Sequence, residues 1–289
     1  MLGVAALKEK SVFVCSSCGA DSPKWMGKCP SCGEWNSFQE FSKFPSKKAA
    51  KGEVSEAYKL KDIKNQENER ILTGINEFNR VTGGGLIKDS VTILTSPPGG
   101  GKSTLALAVA NDIASQGFNV LYSSGEESYT QVKGRADRIL GEINERLWII
   151  STNSLDDVLT ASKDIDPDLI IIDSIQTFAL AELLPARAGN PVQTMGCAVE
   201  LTRLAKQEKR KRAVIIIGQT NKNDELAGLR SLEHLVDTVL IMESENNEEL
   251  RGITATKNRF GSTGEVGFFA MTENGLKSID NPSEFFVTN

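Results

Sequence analysis

A glycine-rich loop between a short apolar strand and a helix constrains this chain more than any other feature. The predicted strand is Val91–Thr95, and the loop runs from Ser96 through three consecutive glycines to Lys102. An Ala- and Leu-rich helix follows to about Gln116. This order is typical of a phosphate-binding P-loop, because loop amides and a helix N-terminus attract anions. It predicts an α/β domain with a mainly parallel sheet flanked by helices.

The residue types in the loop suit a nucleoside triphosphate with its magnesium ion. Lys102 is expected to reach the β- and γ-phosphates, and Ser103 to ligate Mg²⁺. The first loop position, usually glycine, is Ser96, which costs about 1–2 kcal/mol if a positive φ is needed there. The residues predicted to bind ATP are Pro98, Gly99, Gly100, Gly101, Lys102, Ser103, Thr104 and Asp173.

Acidic residues end two of the other predicted strands. Asp173 closes the apolar run that starts at Asp168, a Walker-B pattern in which the carboxylate holds the Mg²⁺ shell. Glu126 and Glu127 follow the strand 119–123. We expect Glu126 to activate the attacking water, with Glu127 as the second choice. Alternatively, both acids begin the next helix, where the helix dipole favours negative charge.

Polar and basic residues follow the next buried strand. Gln219 ends the strand 214–219 and is positioned to sense a γ-phosphate through a hydrogen bond. Lys222 and Arg230 lie in the polar segment after it and are candidate DNA-binding residues. The basic run 206–212 before the strand contacts DNA phosphates or, as we favour, is a solvated helix C-terminus.

The C-terminal part alternates like antiparallel strands, with predicted strands at 238–242, 253–256 and 266–270. Lys257 and Arg259 stand between the last two. These cations are candidates for insertion into the nucleotide site of a neighbouring subunit, where they would stabilise the γ-phosphate transition state, and for DNA contact. The alternative is surface charge at a hairpin.

Four of the five cysteines form two Cys-x2-Cys pairs within eighteen residues. Such pairs place four thiolates around one structural zinc ion, with glycines at 19 and 33 in the turns. Two disulfides are the alternative, which a chain without an export signal disfavours. The predicted zinc ligands are Cys15, Cys18, Cys29 and Cys32.

Two tryptophans lie close to these cysteines. Trp25 and Trp35 are interleaved with Lys24 and Lys28. We favour a small core in which both indoles cover the zinc site. The alternative is an exposed surface that stacks nucleic-acid bases and binds phosphates.

Charge is unevenly distributed over the 289 residues, whose net charge is −5. Residues 1–68 carry 11 basic and 8 acidic side chains, so any DNA binding by this acidic chain must come from local basic patches. We predict a zinc finger at 11–41, a linker at 42–68 and an ATPase domain at 69–289. No apolar run approaches a membrane span, and no export signal is recognised, so a cytoplasmic protein without membrane contact is expected.

Several motifs together resemble the bacterial RadA/Sms family. They are the cysteine segment 13–36, Arg80–Gly85, Ser124–Ser128, Leu232–Asp237 and Lys257–Gly261, and the resemblance covers about residues 11–285. It implies a RecA-like ATPase that forms a ring, such as a hexamer, and binds single-stranded and branched DNA. It also implies RecA recombinase as partner, and Lys257 and Arg259 as the residues that couple ATP to DNA between subunits.

The chain departs from the family pattern at four points. Ser96 replaces a glycine, Gln219 stands where the family usually has histidine, and 193–196 loses a basic residue. The family's Lon-protease-like C-terminal domain is expected to be absent.

These motifs bear on three candidate functions. An ATP-driven DNA motor that promotes branch migration is favoured. A nucleotide-switched binding protein with little turnover is the alternative. A small-molecule kinase is disfavoured, since no arginine-rich lid is recognised and a zinc finger would be unexplained.

Overall fold

The computed structural model describes residues 11–15, 17–42, 59–62, 70–219, 232–244 and 249–280. Within these ranges the larger sheet has nine strands. Their order across the sheet is β14 (Gly275–Ser278), β13 (Val266–Thr272), β12 (Leu250–Asn258), β11 (Thr238–Ser244), β6 (Val91–Ser96), β10 (Ala213–Gln219), β9 (Leu169–Asp173), β7 (Val120–Ser124) and β8 (Leu147–Ser151). Two smaller sheets complete the described strands. One consists of β1 (Ser11–Cys15), β2 (Asp21–Ser22) and β3 (Phe38–Ser42), and the other of β4 (Arg70–Ile71) and β5 (Leu86–Ile87).

Strand direction divides the large sheet into two parts. Strands β6 to β11 pair in parallel, and β12, β13 and β14 continue the sheet antiparallel. Parallel pairing brings the carboxyl ends of β6, β7, β9 and β10 to one edge, where ligands bind in open α/β sheets. The mainly parallel, RecA-like arrangement with antiparallel C-terminal strands is therefore confirmed.

The helices begin and end where the sequence supplies local signals. Ser128 and Gln131 form a capping box at the start of the helix Tyr129–Ile139. The Asn190 side chain caps the helix Pro191–Ala205, whose first residue is a proline. The α-helices are α1 (Asn76–Val81), α2 (Lys102–Ser115), α3 (Tyr129–Ile139), α4 (Leu155–Ile165) and α5 (Pro191–Ala205), and short 3-10 helices occupy Leu60–Asp62, Ile175–Thr177 and Ala181–Leu183.

Apolar side chains cover both faces of the large sheet. One cluster packs α2 against Leu94, Ile171 and Ile215, and the other packs α4 and α5 against Ile170 and neighbouring strand residues. Because β9 and β10 are buried on both faces, they read as nearly continuous apolar runs, whereas the buried strand β6 includes two threonines and a serine. The sheet is thus a rigid platform for the loops at its edge.

The N-terminal segment forms a small separate sheet in the order β2-β1-β3. Its buried apolar side chains are few: Cys15, Cys29 and Phe38, with Phe13 and Met26 packed against them. None of the helices in the described ranges has the length and apolar character of a membrane-spanning segment.

Candidate functional site

The main site is a cavity of about 360 Å³ at the carboxyl edge of the parallel strands. The loop after β6, the turn after β7 and the ends of β9 and β10 all contribute to it, because the carboxyl ends of parallel strands meet at one edge of the sheet. Its lining residues are Pro98, Gly99, Gly100, Gly101, Lys102, Ser103, Thr104, Glu126, Arg135, Arg138, Asp173, Gln219 and Met271.

The P-loop uses glycine where the backbone requires it. Gly99 and Gly101 adopt φ values of 77° and 97°. Ser96 is the last residue of β6 and keeps extended backbone, so the conditional cost of a serine at this position does not arise. The loop geometry therefore tolerates the departure from the usual glycine.

Gly101 also brings the P-loop against the antiparallel strands. A Cβ atom at Gly101 would lie 2.8 Å from Cε of Met271 on β13 and 3.3 Å from Cδ1 of Leu276 on β14. The absence of a side chain at Gly101 thus allows these strands to support the start of α2.

Lys102 is buried and held inside the loop. Its Nζ donates to the Ser96 carbonyl oxygen at 2.9 Å, to Ser96 Oγ at 2.8 Å and to the Pro97 carbonyl oxygen at 3.2 Å. Burial lowers the pKa of Lys102, and the charges of Asp173 and Glu126 oppose that shift. The ammonium group thus already lies next to two carboxylates.

Asp173 sits at the end of β9 beside the P-loop, where the Walker-B pattern placed it. Its Oδ2 accepts a 2.5 Å hydrogen bond from the buried Tyr122 hydroxyl. Burial and the Asp173 carboxylate raise the pKa of Tyr122 well above its ordinary value, so the phenol stays a donor. Asp173 and Ser103 both line the cavity and are oxygen ligands suited to Mg²⁺.

The two glutamates after β7 have different surroundings. Oε1 of Glu126 accepts from Ser174 Oγ at 2.7 Å and from Gln219 Nε2 at 3.0 Å, beside the cavity. Glu127 pairs with Arg135 at 2.5 Å. Neither begins the next helix, because its N-cap is Ser128. The geometry favours Glu126 over Glu127 as the residue that faces a nucleotide.

Sequence reasoning missed two arginines on α3. Arg135 and Arg138 are three residues apart and line the cavity, and a helical projection of 129–139 could have placed them on one face. Nη1 of Arg135 is buried without a hydrogen-bond partner. A buried unpaired donor at the cavity is the fit expected for an anionic ligand such as ATP.

Lys257 and Arg259 lie far from this cavity. Arg259 Nη1 donates to Asp237 Oδ1 at 3.0 Å, and the Asp237 amide donates to the Val91 carbonyl at the first residue of β6. The P-loop starts at the other end of β6, five residues on, which is about 17 Å. The structure therefore does not bring Lys257 and Arg259 to the nucleotide site of their own chain.

Two of the candidate DNA-binding residues, Lys222 and Arg230, lie outside the described residues. In the segment 193–196, Gln193 is fully buried and holds the Leu180 backbone and the Ala186 carbonyl oxygen. The family difference at 193–196 therefore falls on a helix that packs on the sheet.

The basic run after α5 is engaged in ion pairs. Arg210 and Arg212 pair with Asp166, and Lys211 pairs with Asp89. Lys206 is the C-cap of α5, so the helix ends where this run begins, but Arg212 is buried and not solvated.

The four cysteine sulfurs of the N-terminal sheet lie within 4.8 Å of one another. Cys15 Sγ is 3.7 Å from Cys32 Sγ, and Cys18 Sγ is 3.5 Å from Cys29 Sγ. Sulfurs around a tetrahedral zinc with 2.3 Å bonds are about 3.8 Å apart, whereas a disulfide is about 2.05 Å. The cysteines are free thiols, and their spacing fits a closed, structural zinc site.

Turn geometry and hydrogen bonds complete this centre. Gly19 and Gly33 have φ values of 76° and 77°, as predicted for the two turns. Burial raises the pKa of Cys15, but hydrogen bonds with Ser37 and nearby backbone outweigh it, and the pKa is about 6. Burial and the neighbouring sulfurs raise the pKa of Cys18 and of Cys32, as expected where four thiolates would crowd one site without a cation.

The tryptophans do not form the core of this sheet, so the favoured interpretation is wrong. Trp25 and Trp35 are 53% and 67% exposed, and Phe38 fills the centre instead. Trp25 Nε1 donates to the Phe38 carbonyl oxygen at 3.1 Å, and Lys28 Nζ lies 5.5 Å from the Trp35 ring centroid. A fold this small fills its centre with phenylalanine and leaves the larger indoles outside.

The fold and the site define a P-loop nucleotide-binding protein with an N-terminal metal ribbon. Residues 55–225 match the family described as AAA domain, and residues 13–40 match the rubredoxin metal binding domain. The first match covers more than half of the chain, which therefore belongs to the AAA domain family. Zn²⁺ at the four cysteines and ATP with Mg²⁺ at the P-loop are the ligands of these two parts.

Curated relatives extend the similarity over nearly the whole chain. The chain is 42% identical to a DNA repair protein RadA of Bacillus subtilis strain 168 over 97% of its length. RadA proteins of Streptococcus pyogenes serotype M3 and Listeria monocytogenes are 42% and 41% identical over 97% and 98%. The chain is thus a RadA homologue, and it spans 62% of the length of these three relatives.

Proposed function

We propose that this protein hydrolyses ATP to drive movement on single-stranded DNA and branch migration of recombination intermediates. One observation carries the enzymatic part: Glu126 is fixed by two hydrogen bonds in the cavity that also holds Lys102 and Asp173. The DNA-repair names of the relatives support the biological setting. A cytoplasmic location, single-stranded and branched DNA as substrates and RecA recombinase as partner belong to the same proposal.

The side chains of the cavity divide the chemistry among themselves. Ser174 and Gln219 hold Oε1 of Glu126, leaving its other oxygen to accept a proton from the attacking water. Lys102 moves from the loop carbonyls to the γ-phosphate, where it balances the developing charge. Ser103 and Asp173 would hold Mg²⁺, which would supply neutralisation of the phosphate charge.

Gln219 connects this chemistry to the proposed DNA site. Its side chain donates to Glu126, and its carbonyl oxygen accepts from Gln176 Nε2 at 3.1 Å. The next residues contain Lys222 and Arg230, the candidate DNA contacts. A γ-phosphate that draws the Gln219 side chain away from Glu126 would act on the last described residue before these candidates, and we propose this as the coupling of ATP and DNA binding.

Lys257 and Arg259 act on the nucleotide of a neighbouring copy. Their separation of about 17 Å from the P-loop of their own chain supports this assignment. Head-to-tail contact between copies closes into a ring, for which a hexamer is the expected size.

The test is phosphate release from Mg-ATP with and without single-stranded DNA. Wild type is expected to turn over ATP faster with DNA. Lys102→Ala should abolish turnover, and Glu126→Gln should lower kcat about 10²–10⁴-fold with little change in KM for ATP. Glu127→Gln is the matched control and should retain most of the activity, because Glu127 pairs with Arg135. Equal losses in the two glutamine variants would contradict the assignment of Glu126.

A nucleotide-switched binding protein is the second candidate. The three acceptors that hold Lys102 within the loop favour it, because they compete with a phosphate for the ammonium group. Wild-type turnover at the level of Lys102→Ala, together with ATP-dependent DNA binding, would establish this alternative in place of the motor.

A further inference from the structure

The carboxylate of Asp237 organises a cluster of cations at the edge of the sheet opposite the P-loop. Asp237 is 1% exposed. Its Oδ1 accepts from Lys206 Nζ at 2.9 Å and from Arg259 Nη1 at 3.0 Å, and its Oδ2 accepts from the Val91 amide at 3.0 Å. Because both cations bond the same oxygen, their nitrogens lie within about 6 Å of each other.

Lys257 is the third cation of this cluster. Its Nζ donates to the Val236 carbonyl oxygen at 2.8 Å and to the Glu233 carbonyl oxygen. Burial, the Arg259 charge and the Lys206 charge lower the pKa of Lys257, whereas Asp237 and Glu233 oppose the shift. Because Lys257 bonds the carbonyl of the residue that precedes Asp237, its charge lies close to those of Lys206 and Arg259.

Lys206, Arg259 and Lys257 lie around the buried carboxylate of Asp237, so the cluster carries a net positive charge. One cation is enough to balance the buried carboxylate of Asp237, and the second acid nearby, Glu233, is exposed. Arg259 and Lys206 keep 51% and 38% of their side-chain surface exposed. Two exposed cations held side by side form a surface that binds a multiply charged anion such as a phosphate chain.

We propose that Lys206 is a third phosphate-binding cation of the site that Lys257 and Arg259 present to a neighbouring copy, and that Asp237 positions Lys206 and Arg259 there. This inference rests on the proposed function, in which the ligand is the γ-phosphate of that copy. A second copy must supply it, since the phosphate site of the same chain lies at the far end of β6, about 17 Å away.

The position of Lys206 in the chain supports a shared role. It is the C-cap of α5, distant in sequence from Lys257 and Arg259, yet it bonds the same oxygen as Arg259. Lys211, five residues on, pairs instead with Asp89 at 3.0 Å and lies outside the cluster. The pair Lys206 and Lys211 thus offers a matched comparison of two lysines from one segment.

The first experiment measures ATP turnover of full-chain variants with single-stranded DNA. Lys206→Ala is expected to lower kcat at least tenfold with less than a twofold change in KM, and Lys206→Arg to retain at least a third of kcat. Asp237→Asn should show the same loss in kcat, and Lys211→Ala should match wild type. Wild-type kcat in Lys206→Ala would overturn the proposal, as would an equal loss in Lys211→Ala.

The second experiment mixes variants that are each deficient in one half of the shared site. Lys206→Ala keeps an intact P-loop, and Lys102→Ala keeps an intact cation cluster. In an equimolar mixture, random assembly places the two intact halves together at about a quarter of the interfaces, so about a quarter of wild-type turnover should return. No recovery would mean that Lys206 acts within its own subunit or only structurally, and would overturn the proposal.

A parallel mixture of Arg259→Ala with Lys102→Ala separates the two levels of inference. Recovery there, without recovery for Lys206→Ala, retains the shared site of the proposed function and removes Lys206 from it. Failure of both mixtures would overturn the shared site itself.

Discussion

The zinc ribbon and the ATPase core of this chain are stabilised by different means. The ribbon buries two cysteines and Phe38, and its two tryptophans remain exposed. The core buries apolar side chains on both faces of a nine-stranded sheet. A segment of about 30 residues cannot bury enough surface to fold alone, whereas a domain of about 200 residues can. Stability in the ribbon therefore depends on one metal centre, and in the core it is distributed over many contacts.

Removing zinc should break this comparison most strongly. Cys29→Ser, or a strong chelator, is expected to unfold residues 13–40, because apparent zinc-binding free energies of about 10–16 kcal/mol are folding free energy in such modules. Melting of the core should not change. Hydrogen exchange resolved to the two regions, with metal analysis, checks both statements.

Cys197→Ser is the control for the zinc experiment. Cys197 is buried in the core and lies outside the metal cluster, so the variant should keep one zinc per chain. Full exchange protection of residues 13–40 in the zinc-free protein would contradict the account of the ribbon.

A cavity in the core should have a smaller and complementary effect. Ile171 is fully buried on β9, and Ile171→Ala should lower the free energy of unfolding by about 2–5 kcal/mol without loss of zinc. Ile149 on the edge strand β8 is 38% exposed, and Ile149→Ala should cost less. Denaturant unfolding with metal analysis measures both. A larger loss of unfolding free energy in Ile149→Ala than in Ile171→Ala would contradict the account in which the buried central strands contribute most to the stability of the core.

The smallest predicted effect concerns how the stability of the core depends on pH through the charge of Glu77. Burial raises the pKa of Glu77, but hydrogen bonds from Arg80 and the Phe268 amide outweigh it and lower the pKa. The stabilisation is therefore present above the ordinary pKa of glutamate and is lost as the pH falls through the lowered value. Glu77→Gln should cost roughly 1 kcal/mol at neutral pH.

The difference between Glu77→Gln and wild type should vanish in acid, which unfolding curves from pH 7 to pH 3 would detect. Asn76→Asp, next to Glu77, cannot serve as the control for this experiment, because Asn76 Nδ2 donates a hydrogen bond to Asp280 that the substitution would remove. Lys133→Gln serves better: its ion pair with Asp137 is solvent-exposed and should change stability little at any pH. A constant difference for Glu77→Gln would show that its charge is not what stabilises the core.

The sequence predicted most of the core because its signals are local. The strands β9 and β10 are apolar runs, and at β6 the P-loop pattern fixes the order of strand, loop and helix. The edge strand β8 was missed although Leu147–Ile150 is an apolar run, because so short a run does not by itself separate a strand from a helical segment, and Trp148 and Ile149 are exposed in the fold.

The candidate site was predicted residue by residue, but its geometry was not. Lys102, Asp173 and Glu126 could be placed at one edge because parallel strands end together. The hydrogen bonds of Glu126 to Ser174 and Gln219 join residues 48 and 93 positions apart and depend on strand order. The same holds for Lys206 and Arg259, which the fold brings to one carboxylate oxygen.

The contact of Gly101 with β13 and β14 limits how this chain can be shortened. Met271 and Leu276 lie behind the P-loop glycine, and Met271 also lines the cavity. A fragment that ends after β11 would retain every P-loop, Walker-B and glutamate residue and still lose the wall behind the phosphates. We therefore expect an active fragment to extend at least through Ser278, about 176 residues beyond Lys102.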